Sequence, residues 1–256
     1  AVKDSPSIHD CQITENYVLV FDLPATFSMK RMLGGFAFPY DWNPSHGARV
    51  GLCPRDGSGV DTVWCDVDPC YVYHPANAYE TDDGSVIVDV VVHESTYALT
   101  TFGPGGEWSR LERWTIDPVA KKVDRKILDD RPQEFPRYDE RTATKPYRYI
   151  YDIALAGRPD ELDMAGTELF KHDLQSGDKL VRDFGAGRHP GEFIFVPRSP
   201  DAAEDEGWLI GLVIDAGQEK TELQILNADD FLGEPQAVIH LPHRIPPGFH
   251  GNWVAS

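Results

Sequence analysis

The chain has 256 residues, of which 41% are hydrophobic and 26% charged, ordinary values for a globular protein, but its formal net charge is −18. That balance argues against nucleic acid as a partner, because phosphate recognition needs clustered Lys and Arg, and against electrostatic docking on anionic lipid. No apolar run approaches the roughly 18 residues that span a bilayer, and the first residues lack the basic-then-apolar order of a signal peptide.

In chain order, strand signals dominate. Runs rich in Val, Ile, Tyr, Phe and Trp recur at residues 17–23 (YVLVFDL), 86–93 (VIVDVVVH), 147–155 (YRYIYDIAL), 192–198 (EFIFVPR), 208–215 (WLIGLVID), 223–226 (LQIL) and 237–241 (AVIHL). Turn residues punctuate them, among them Asp56-Gly57-Ser58-Gly59, Gly103-Pro104-Gly105-Gly106 and Gln175-Ser176-Gly177-Asp178. No stretch of ten residues keeps a helical period. The fold class is therefore all-β, read as a single domain over residues 1–256.

A weak internal repeat refines this. LERWTIDPVAKKVDRKIL, LFKHDLQSGDKLVRDF and LQILNADDFLGEPQAVIHL share one pattern: strand, Asp or Asn, short polar turn, strand. Asp117, Asp173 and Asn227 mark equivalent points, 56 and 54 residues apart. A side chain of that type caps a turn by accepting from nearby backbone amides. Such a period suits a four-stranded propeller blade, slightly longer than the roughly 40 to 50 residues of common propeller repeats, whereas a β-sandwich has less reason to repeat at that length. The chain would then hold about 4.7 blades. Lacking an initiator Met as well, it is expected to be the C-terminal part of a longer protein.

Cys11, Cys53, Cys65 and Cys70 form no paired CxxC framework. Cys53 and Cys65 flank the Asp56–Gly59 turn, so a bridge is conceivable, but four free thiols in a reducing cytoplasm are the expectation.

Of nine histidines, His46, His93, His172 and His189 occupy polar loop or strand-edge positions and are expected to be solvated. His240 and His243 fall in a strand and the turn after it. His9, His74 and His250 stand apart, each near an element end among aromatics or among Gly and Pro. They are separated by 65 and 176 residues, about one and three repeat lengths. On the residues alone, three histidines packed in a core and three metal ligands both remain open.

Several segments resemble successive motifs of the carotenoid cleavage oxygenases, a family that includes the bacterial lignostilbene dioxygenases. They are HDCQITENYVLVFDLP, YHPANAYE, QEFPRYDER followed by YRYIY, GEFIFVPR followed by EDEGWLIGLVID, and LPHRIPPGFHGNWV, running in the family's order from residue 9 to residue 254. The resemblance implies a seven-bladed β-propeller with a helical cap, here an incomplete C-terminal portion of about four to five blades. It also implies iron(II), Fe(2+), held by four histidines. Three carry over as His9, His74 and His250; the family's first ligand precedes the HDxxITENY block. Glu134 and Glu192 match family glutamates that accept a bond from a ligand's other ring nitrogen, which fixes the imidazole's tautomer and strengthens it as a donor.

The implied reaction is cleavage of a conjugated carbon–carbon double bond by dioxygen, giving carbonyl products from a carotenoid, apocarotenoid or stilbene. Neutral imidazole donors suit iron(II) and leave the site the metal's full charge. Holding an apolar alkene beside bound oxygen is then a task of positioning in an aromatic-lined tunnel. Tyr73 and Phe249 are candidates for its wall, although neighbours on a strand face opposite ways, which favours core packing for them. The partners implied are a small apolar conjugated substrate and O2, with peripheral membrane contact for substrate uptake. Three other readings stand beside this one: isomerisation of a polyene ester, a metal-free propeller used for binding, and a three-histidine zinc hydrolase, which would need a general base near the metal.

Overall fold

A computed structural model of the chain describes residues 2–97, 109–156 and 165–254; the Gly103–Gly106 turn lies outside these. The chain divides into two compact units: residues 2–132 with 143–146, and residues 133–142 and 147–156 with 165–254.

The first unit runs through β1 (Cys11–Ile13), β2 (Tyr17–Asp22), β3 (Ala25–Phe27), α1 (Met29–Leu33), β4 (Tyr40–Trp42), β5 (Arg49–Pro54), β6 (Val63–Asp66), β7 (Tyr71–Glu80), β8 (Val86–His93), β9 (Ser109–Asp117) and β10 (Lys122–Asp129). These make two four-stranded antiparallel sheets, ordered β1-β2-β5-β6 and β10-β9-β8-β7, with β3 and β4 as a separate two-stranded ribbon. Every residue of β8 is buried, as its near-continuous β-branched run demands of a strand covered on both faces. The one charge in that run, Asp89, is matched across the register by Arg113, whose Nε and Nη2 each donate at 2.8 Å. That fork satisfies a carboxylate that would otherwise be costly to bury. Trp114, Leu19, Val50, Leu52, Val88 and Ile116 form the centre of this unit's core.

The second unit contains β11 (Gln133–Arg137), β12 (Tyr149–Leu155), β13 (Ala165–Asp173), β14 (Lys179–Asp183), β15 (Arg188–Pro197), β16 (Gly207–Asp215), β17 (Lys220–Asn227) and β18 (Ala237–His240). They form two more four-stranded antiparallel sheets in simple sequential order, β11 to β14 and β15 to β18. Tyr151, Leu169, Phe193, Leu209 and Leu226 pack in its core.

The internal repeat is the outer hairpin of three of these sheets. Asp117 ends β9, Asp173 ends β13 and Asn227 ends β17. As the residue type predicts, Asp117 Oδ1 accepts from the amides of Val119 and Ala120 at 2.8 Å each, and Asp173 Oδ1 from Gln175 at 3.0 Å and Ser176 at 3.3 Å. The Gln175–Asp178 turn closes with Gly177 at φ +80°, where a side chain would be strained. The four cysteines carry free thiols, and burial pushes the Cys70 thiol up to about 12.

One expectation needs correction. Three of the histidines expected to be solvated, His46, His93 and His172, are instead buried. Their partners come from afar in sequence: His46 Nε2 lies 2.7 Å from Asp22 Oδ1, His172 Nε2 lies 2.8 Å from Gln133 Oε1, and the His93 ring stands edge-on to Tyr73 at 5.1 Å. Among the described residues the one α-helix is the short α1, capped by the Ser28 side chain accepting from the Arg31 amide, in keeping with an all-β class. Five residues are too few to leave a helical period in the sequence.

The first strands of three sheets share a device. β7, β11 and β15 lie at sheet edges, and each has a register irregularity with a proline at it: Pro75 between Val72 and Ala78, Pro136 between Glu134 and Arg137, and Pro190 before Phe193. Proline has no amide to give to a ladder, so within sheets it is confined to edges and bulges. A bulge re-aims the side chains beside it. His74, Glu134 and Glu192 sit at these three places.

Candidate metal centre

In the first unit the structure brings His9 and His74 together. His9 lies two residues before β1, and His74 lies within the first bulge of β7. Their ring centroids are 5.0 Å apart with planes at 89°, and the His74 Nε2 atom is shielded from solvent. The two segments run alongside one another at a constant offset of 64 residues. The Tyr71 hydroxyl donates to the Ser7 carbonyl at 3.0 Å, His9 Nδ1 donates to the Tyr73 carbonyl at 3.2 Å, and Gln12 Nε2 donates to the Ala76 carbonyl at 2.8 Å. Asn16 completes the series, giving its backbone amide and its side-chain Nδ2 to the Glu80 carboxylate at 2.8 and 2.9 Å.

The His9 contact fixes a tautomer. A carbonyl oxygen can only accept, so Nδ1 carries the hydrogen and the neutral ring keeps its lone pair on Nε2. Tyr73 is buried and serves packing: its ring meets His9 at 5.1 Å and Tyr71 at 4.7 Å, and its hydroxyl bonds the Thr96 hydroxyl. It walls the imidazole from behind. Asn77, also buried, donates from Nδ2 to the Lys145 carbonyl at 3.1 Å and accepts on Oδ1 from the Thr144 and Ala78 amides, which holds the irregular part of β7 in shape.

In the second unit the structure brings His250 to Glu192. His250 sits on the irregular segment that follows β18, and its Nδ1 donates to Glu192 Oε1 at 3.2 Å. The other carboxylate oxygen accepts the Gly251 amide at 2.9 Å. Glu192 is 4% exposed at its side chain, with Arg137 Nη1 at 3.6 Å. Because an ionised carboxylate only accepts, this tautomer also keeps the lone pair on Nε2.

Glu134 is buried, with Oε2 accepting the Phe135 amide at 2.7 Å. Phe135 is a feature that motif reading did not reach. Its backbone is left-handed, φ +57°, a conformation costing about 1–3 kcal/mol for such a residue and concentrated at functional sites. Its ring stands edge-on to His250 at 5.6 Å and lies 6.5 Å from Phe249, which is 73% exposed.

The donor chemistry fits a divalent transition metal: imidazoles whose Nδ1 is committed to an oxygen and whose lone pair is set on Nε2. Among the described residues no group of three or more His, Cys, Asp or Glu side chains gathers as a ready metal cluster. The structure thus supplies an imidazole pair in one unit and an imidazole–carboxylate pair in the other.

Known proteins resemble the chain in sequence and in fold. The sequence profile of the retinal pigment epithelial membrane protein family, RPE65, matches residues 2–255. A carotenoid cleavage oxygenase of Mycobacterium tuberculosis is 36% identical over 100% of this chain and 59% of its own length. The apocarotenoid-15,15'-oxygenase of Synechocystis is 33% identical over 97% of this chain and 52% of its own. The solved structure of the cobalt-substituted Synechocystis oxygenase superposes with a TM-score of 0.87 at 32% identity, covering 98% of this chain and 53% of that one. The chain therefore spans about half the length of the relatives it matches, and its four-stranded sheets are blades of the same propeller fold. Sequence and sheets agree: the chain belongs to the RPE65 family, that of the carotenoid cleavage oxygenases.

Proposed function

We propose that the protein is a non-haem iron(II) dioxygenase that cleaves a conjugated carbon–carbon double bond of a carotenoid, apocarotenoid or stilbene to give two carbonyl products. The observation that carries this reading is the shared tautomer of His9 and His250, with Nδ1 held by the Tyr73 carbonyl and the Glu192 carboxylate. With His74, these residues would hold the metal through Nε2. When bound, iron(II) would supply the binding and activation of dioxygen. The protein's own contribution is to hold the imidazoles in one orientation and to present an apolar wall, including Phe135 and Phe249, against which a conjugated substrate lies.

The names and substrates of the relatives support this class of reaction. The free thiols support a reducing compartment such as the cytoplasm. A metal-free binding module is the second reading, favoured by the lack of a ready three-donor cluster among the described residues.

The test is made on the longest natural form that contains this sequence. It is loaded anaerobically with iron(II) and given an apocarotenoid or a stilbene under labelled dioxygen. The expected result is iron retained after gel filtration and label in the carbonyl products. Zinc in place of iron would favour a hydrolase, and no retained metal would favour the binding module.

Membrane contact for substrate uptake is part of the same proposal. Met29, Met32, Leu33, Phe36 and Phe38 are exposed together around α1, with Leu33 at 78%, and Lys30 lies among them. An apolar stripe with a basic residue is the make-up of an interfacial anchor. Flotation with neutral phosphatidylcholine vesicles should fall several-fold in Leu33→Asp; unchanged flotation would remove this patch from the uptake route.

A further inference from the structure

The segment from residue 241 to 254 carries His250 and, past the half-buried Leu241, is exposed and without regular structure. Two points along it are tied to the sheet. One is the Glu192 carboxylate, which takes the His250 ring and the Gly251 amide. The other is Thr221 on β17, a residue with 0% exposure. The Thr221 carbonyl accepts the Leu241 amide at 2.9 Å. Its hydroxyl accepts the Ile245 amide at 2.9 Å and donates to the Ile245 carbonyl at 3.3 Å. One threonine thus grips the segment at both ends of a short loop, through backbone at one end and hydroxyl at the other. Nothing in β17 itself calls for a hydroxyl there, since the ladder to β16 uses backbone groups alone.

The chain between this grip and the imidazole is stiff. Ile245 is followed by Pro246 and Pro247, whose rings fix φ and hold the preceding residues extended. Gly248 is the first residue after the grip able to swivel freely. Where Ile245 is fixed therefore governs where Phe249 and His250 can reach. Without the grip, contacts near its far end, such as those with Glu192 and Phe135, would have to order the segment against its conformational entropy.

We infer that Thr221 is a positioning residue for His250: its hydroxyl sets the base of a proline-stiffened strap that delivers the imidazole to Glu192 already oriented. The inference rests on the proposed function only in taking that imidazole to be a metal ligand.

The test separates the two. In the metal-free protein, amide exchange at Gly251 reports the strap directly. Thr221→Val keeps the shape and removes the hydroxyl, and should speed that exchange roughly five- to tenfold, the change expected from losing one or two hydrogen bonds. Thr221→Ser keeps the hydroxyl and should restore the wild-type rate. Pro247→Gly softens an exposed part of the strap without touching β17, and should speed exchange even if the valine variant folds poorly. Retention of cobalt(II) by each variant should follow the same order. The inference is overturned if Gly251 exchanges at the wild-type rate in Thr221→Val and Pro247→Gly, or if the serine variant behaves like valine. Wild-type protein that takes up no metal overturns the proposed function instead, and the exchange measurements still decide the role of Thr221.

Discussion

Each of the two units presents candidate metal-binding histidines, and the two hold them by different means. In the first, His9 and His74 lie on or beside strands packed over a large core, and the segments are laced together by four successive contacts at one constant offset. In the second, His250 rides on an exposed strap and meets a single buried carboxylate. The first arrangement shares its load among many bonds, whereas the second rests on two anchors, the Glu192 carboxylate and Thr221. Sites of the first kind should bend gradually under mutation; a site of the second kind should give way at a particular residue.

The largest effect is therefore expected at Glu192. Removing a carboxylate that orients a ligating histidine typically costs 10- to 100-fold in metal affinity. Glu192→Ala should lower metal retention on that scale in dialysis against a chelator and release the protection of the Gly251 amide. Protection unchanged in this variant would mean that the carboxylate does not hold the strap's imidazole end, and the contrast between the units would fail.

A smaller effect is expected at Gln12. Gln12→Ala removes one tether of several, worth about 1 kcal/mol of stability, and should change metal retention no more than a few-fold. Denaturant melting with a matched chelator titration reads both quantities. A loss as large as that of Glu192→Ala would show that the offset contacts do not share their load.

Much of this was legible in the residues. The repeat at Asp117, Asp173 and Asn227 is visible because a turn-capping side chain acts on amides two or three residues away, so cause and signal share one stretch of chain. His9, His74 and His250 could be singled out by their neighbours for the same reason. What escaped notice depends on partners brought together only by folding. His46 looks like a loop histidine until Asp22 arrives beside it, and His172 until Gln133 does. Thr221 is an ordinary strand threonine until residue 245 returns to it. Phe135 carries no sequence mark of its left-handed backbone, since the register irregularity that imposes it belongs to the pairing with β12.

The bulges with their prolines in β7, β11 and β15 have a consequence beyond the site. An outer strand with a regular ladder offers a row of unused amides and carbonyls to any neighbouring molecule, the usual start of edge-to-edge aggregation. Pro75, Pro136 and Pro190 interrupt that row in three of the four larger sheets, and the local twist of each bulge turns the remainder away. The irregularities beside His74, Glu134 and Glu192 therefore also leave those edges with fewer regularly spaced amides for a further strand to pair with.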